Sequence, residues 1–146
     1  MQVHHILSGK SINALWSVQP ETTVLEALEL MSVKNIGAVL VLKDGQLTGI
    51  FSERDYARKV VLQGRASRDT QIANVMTTAV ITVTPTQKIE ECMQLMSDLH
   101  IRHLPVVEAD KLIGIISIND IVTAIIRDQK ARIQSLESYI SGAPYQ

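Results

Sequence analysis

The sequence predicts a mixed α/β (α+β) fold built from two copies of one β-α-β-β-α unit. Residues 16–55 are echoed by residues 81–120 at a constant offset of 65, without a gap, and thirteen of the forty pairs are identical. Average composition would give about two or three. Within each copy the apolar pattern changes from helical spacing to short β-rich runs. Each copy also ends on the same punctuation, Gly49-Ile50-Phe51-Ser52-Glu53-Arg54-Asp55 and Gly114-Ile115-Ile116-Ser117-Ile118-Asn119-Asp120.

Each unit opens on a β-branched strand end, Val18 or Val83, followed by a proline, Pro20 or Pro85, and polar residues able to cap a helix. Helical spacing follows, through Val24, Leu28 and Met31 in the first copy and Ile89, Cys92, Met93, Met96 and Leu99 in the second. Ala38–Leu42 and Leu47–Phe51 flank Asp44-Gly45, a strong hairpin signal. The second hairpin has Ala109-Asp110 instead, which predicts a looser turn. Pro105 cannot donate to a ladder, so it predicts an edge or a strand start. Ser52 and Ser117 are set to cap a closing helix in each copy. The predicted boundaries are 8–63 for the first repeat, 64–76 for a linker with a helical turn near Ile72, 77–128 for the second repeat, and 129–146 for a helical extension and tail. In that extension Ile126, Ile133 and Ile140 recur every seven residues with Leu136 between them. This phase serves either a helix packed on its own domain or a dimer contact.

One repeat alone would bury little apolar surface, so the copies are expected to pack on each other. Net charge is −1 and aromatic residues make up 3 % of the chain, which argues against nucleic-acid binding. The single cysteine, Cys92, forms no internal disulfide and points to a reducing compartment; it falls in the apolar phase of a helix, as a buried thiol would. No signal peptide or membrane-length apolar run is present, so the expectation is a cytoplasmic protein. His4-His5 and the pair His100 and His103 lack the company of cysteines or acids that a metal site needs, and no metal is expected. There is no nucleophile–base set, P-loop or glycine-rich dinucleotide fingerprint, so no catalytic residues or catalytic cofactor are assigned.

The repeated G-x-x-S-x-x-D unit has chemistry suited to a ribose-phosphate. A serine at a helix start presents a hydroxyl and free N–H groups to an anion. An aspartate one turn on accepts from ribose hydroxyls, and the glycine allows a ligand close to the strand backbone. Lys10, Arg54 and the pair Arg102-His103 add positive charge. The same S-x-x-D spacing is also an ordinary helix cap, and duplication copies a cap as faithfully as a site.

The duplicated unit ending in G-h-h-S-x-x-D resembles the CBS domain, and the tandem pair resembles a Bateman module, over about residues 8–140. Segments such as Gly49–Arg58 and Ile101–Val107 are similar to stand-alone bacterial two-CBS signal-transduction proteins. The resemblance implies pseudo-twofold packing of the two repeats, two clefts between them, a homodimer, and a regulated partner. It implies AMP, ADP or ATP as ligand, with NAD(H) or S-adenosylmethionine as further candidates. Asp55 and Asp120 would then accept from ribose, and Ser52, Arg54, Ser117 and Asn119 would lie near ribose or phosphate. Arg102 and His103 would point at phosphates, with Leu104 and Pro105 beside them. Ser11, Ile12 and Trp16, and Thr78, Ala79 and Val80, would wrap the adenine. In the first copy Gly37-Ala38 stands where the second has Arg102-His103, so the two clefts are expected to differ in charge.

Overall fold

The structure, a computed structural model, describes residues 1–9 and 15–141. A helix α1 (Val3–Gly9) precedes the first unit: β1 (Ser17–Val18), α2 (Val24–Lys34), β2 (Ala38–Lys43), β3 (Gln46–Ser52) and α3 (Glu53–Asp55). After α3 the chain continues as a π-helical stretch, Tyr56–Val61, in place of the regular helix the sequence predicts. A 3-10 turn at Ile72–Asn74 lies between the copies. The second unit contains α4 (Ile89–Leu99), β4 (His103–Glu108), β5 (Lys111–Ser117) and α5 (Ile118–Ser141). The tail from residue 142 onward lies outside the described residues.

The first sheet has the order β1-β2-β3, with β1 parallel and β3 antiparallel to β2. The second sheet is the hairpin β4-β5 alone, and the expected opening strand shrinks to one parallel bridge between Val83 and Val106. Proline chemistry accounts for the loss. In the first copy Leu40 N–H donates to the Trp16 carbonyl at 3.2 Å. Pro105 stands at the equivalent place and has no N–H to give. Of the two expected places it takes the edge and not the strand start: it sits inside the edge strand β4 opposite Ile115, and its carbonyl accepts from Val83.

The second hairpin turn is as tight as the first. Asp44 and Gly45 have φ of 51° and 78°; Ala109 and Asp110 have 50° and 62°. The ladder closes on Lys43↔Gln46 and Glu108↔Lys111 alike, and both hairpins shift register at equivalent points, Val41/Leu42 and Val106/Val107.

Each core is completed by a segment from outside its own hairpin and helices. Ile72 and Val75 join Val24, Ala27, Met31, Val39, Val41, Phe51 and Val60. Val3 and Ile6 of α1 join Val83, Ile89, Cys92, Met96, Leu104, Val106, Ile116 and Ile121. The hydrogen bonds match pair for pair. Ile72 N–H and Ala73 N–H donate to the carbonyls of Thr22 and Pro20; Val3 N–H and His4 N–H donate to those of Gln87 and Pro85. The start of the chain thus closes the core of the second copy. Burial pushes the Cys92 thiol up to about 11, and the Glu91 carboxylate beside it adds to the shift, so the thiol stays neutral and inert at physiological pH.

Candidate cleft between the repeats

The two motifs sit where β3 meets α3 and where β5 meets α5. Ser52 N–H and Oγ donate to Asp55 Oδ2 at 3.0 and 3.1 Å, and Asp55 N–H donates back to Ser52 Oγ at 3.2 Å. Ser117 N–H donates to Asp120 Oδ2 at 2.8 Å, and Asp120 N–H to Ser117 Oγ at 3.1 Å. Each S-x-x-D is therefore a reciprocal helix cap. Both caps also open into a cleft of about 1010 Å³ lined by the two repeats together. Residues implied for each of the two clefts are among its lining.

Of the sequence-derived candidates, Trp16, Gly37, Ala38, Ser52, Arg54, Asp55, Arg102, His103, Ser117, Asn119 and Asp120 line the cleft. Lys10, Ser11 and Ile12 lie outside the described residues. Thr78, Ala79, Val80, Leu104 and Pro105 are not part of the lining; Leu104 is fully buried in the second core.

The motif glycines do not admit a ligand. A Cβ on Gly49 would lie 2.6 Å from Met76 Sδ and 3.0 Å from the Thr77 carbonyl oxygen, and one on Gly114 would lie 2.7 Å from Leu7 Cδ2. The missing side chains make room for the segments that cross from outside each unit, so the reading of these glycines as points of ligand approach is corrected. Gly37 is different: a Cβ there would lie 3.4 Å from His103 Cε1, an ordinary contact across the cleft.

Sequence reading missed several lining residues. Lys59 Nζ lies 3.1 Å from Asp55 Oδ1. Thr77 Oγ1 donates to the same oxygen at 3.1 Å. Lys34 Nζ sits 4.2 Å from the centre of the Trp16 ring, a cation–π contact at the rim. Arg54 Nη1 donates to the His100 carbonyl at the left-handed end of α4, tying the two repeats together. The i,i+4 spacing of Lys59 to Asp55 was visible in the sequence; Thr77, twenty-two positions from Asp55, carried no local signal.

Lys34, Arg54, Arg58, Lys59 and Arg102 line the cleft together with Glu53, Asp55 and Asp120. Basic groups are in excess there although the chain as a whole carries −1. The arrangement suits an anionic ligand that brings hydroxyl donors for the carboxylates. Among the described residues no three His, Cys, Asp or Glu side chains cluster as metal ligands would. His4 and His5 of α1 bond locally to Gln2, just before the helix, and do not line the cleft.

Comparison with known proteins agrees with this architecture. The family model described as CBS domain matches residues 11–62 and 72–127. The chain is 41 % identical over 140 residues to the mitochondrial CBS domain-containing protein CBSX3 of Arabidopsis thaliana, covering 92 % of this chain and 68 % of that protein. A solved structure from Burkholderia ambifaria, described as a signal-transduction protein with CBS domains, superposes with a TM-score of 0.86 at 46 % identity, covering 88 % of this chain and 96 % of that one. The CBS domain pair of protein MJ0100, solved in complex with 5′-methylthioadenosine and S-adenosyl-L-methionine, shares the fold with a TM-score of 0.77 at 24 % identity, covering 88 % and 98 %. No helix among the described residues is long and apolar enough to cross a membrane.

Proposed function

Because this chain belongs to the CBS-domain family, we propose that it is a non-catalytic regulatory module that holds an adenosine-containing ligand in the cleft between its repeats and signals its presence to a partner protein. The observation that carries this reading is the meeting of both Ser–Asp caps with an excess of Arg and Lys in one cavity. Asp55 and Asp120 accept from ribose hydroxyls, and Arg102 and its basic neighbours neutralise phosphate. AMP, ADP and ATP head the candidates on charge, followed by NAD(H). S-adenosylmethionine is supported by the ligands of the MJ0100 pair. The module acts in the cytoplasm as a homodimer, and ligand shifts its shape through unequal affinity for two states.

Mass spectrometry of small molecules released from the purified, denatured protein tests this directly. An adenosine-containing species is expected. A protein that releases none, and gains no thermal stability from millimolar AMP, ATP, NADH or S-adenosylmethionine, contradicts the reading.

A second reading treats the protein as an interaction dimer whose cleft is vestigial. It draws on α5, where Ile133, Leu136 and Ile140 are 54 %, 61 % and 81 % exposed.

A further inference from the structure

The acceptor oxygens of Asp55 are engaged from within the chain. Ser52 occupies Oδ2. Oδ1 faces Lys59 Nζ and accepts from Thr77, both at 3.1 Å, and Lys59 also donates to Thr77 Oγ1 at 3.2 Å. A carboxylate has about four lone-pair sites, and each of these contacts uses one. The Asp55 side chain is 13 % exposed and that of Lys59 42 %, so the lysine is the member free to move toward solvent. It reaches Oδ1 from the π-helical stretch after α3. The second copy has Ala124 at that helix position, so the feature was not carried by the duplication.

We propose that Lys59 is a latch over the Asp55 half of the cleft and determines what that half accepts. A ribose diol gains Oδ1 by displacing the ammonium, the partner that carries a charge into solvent, and the displaced ammonium needs a new anion. A ligand carrying both a diol and a phosphate supplies each in turn; a nucleoside without phosphate leaves the lysine unpaired. The Asp55 half therefore selects nucleotides over nucleosides. This inference rests on the reading of the cleft as an adenosyl site.

The experiment isolates this half with Asp120→Ala and measures AMP and adenosine affinity by calorimetry, with and without Lys59→Met. A partly exposed ion pair shifts an equilibrium by a factor of about two to five. Lys59→Met is therefore expected to tighten adenosine by that factor and to reduce the preference for AMP. Lys59→Gln, run beside it, gives the same answer if packing of the methionine disturbs the helix. AMP binding with adenosine affinity and AMP preference unchanged in both variants overturns the latch and leaves the adenosyl reading standing. Failure of the wild-type chain to bind either molecule overturns both.

Discussion

A methyl group on residue 49 would meet Met76 Sδ and, at 3.0 Å, the Thr77 carbonyl oxygen. One on residue 114 would meet only the end of the Leu7 side chain, which can rotate away. Gly49→Ala is therefore expected to cost about 1–3 kcal/mol and Gly114→Ala distinctly less. Thermal unfolding of the two variants checks the order, at about 2–4 °C per kcal/mol for a chain of this size. These residues also show how far single positions could be read. Ser52, Asp55, Ser117 and Asp120 were found because a cap and a ligand site want the same residues at the same spacing. The task of the glycines was not legible, because the atoms that need the space come from Leu7, Met76 and Thr77, far away in sequence. Arg54 was found as a cation, but its engagement with the His100 carbonyl depends on how the repeats meet.

At the scale of elements, the two hairpins carry different sequence through the same turn. Ala109 adopts φ of 50° where the first copy has Asp44 at 51°. A left-handed conformation costs a residue with a Cβ about 1–2 kcal/mol, partly offset by the extra unfolded-state freedom of glycine. Ala109→Gly is expected to stabilise the protein by roughly 0.5–1 kcal/mol, read as a higher urea midpoint at unchanged slope; a lower midpoint would mean the turn is relaxed as it stands. The strand pattern on both sides fixes the register, which is why the absence of glycine did not loosen the turn as the dipeptide alone implies. Helices α2 and α4 were plain from their apolar period. Helix α1 was not, since its Val3 and Ile6 become half of an amphipathic face only against the core of the second copy. The π-helical stretch after α3 leaves no mark in the apolar spacing, which suits an ordinary helix equally well.

Across the whole molecule, the duplication predicted two like units and their packing, and the resemblance carried the family. What pattern alone left hidden is the crossing of segments: residues at the start of the chain and between the copies each complete a core. The same view leaves α5 reaching past the second core with Ile126, Ile133, Leu136 and Ile140 exposed along one heptad phase. If α5 joins two copies, Ile133→Glu with Leu136→Glu reduces the mass seen by light scattering to that of a single chain and leaves nucleotide affinity unchanged. A wild-type chain that is already monomeric at high concentration contradicts that contact. The central claim, that the repeats share a cleft built for an adenosine-containing ligand, is tested most directly by calorimetric titration. AMP, ATP and S-adenosylmethionine are added to the wild-type chain and to the Asp55→Ala, Asp120→Ala double variant, both shown to be folded. Saturable binding of at least one ligand by the wild type, lost or weakened at least tenfold in the variant, is the predicted result; no binding at millimolar ligand, or equal binding by both chains, would contradict it.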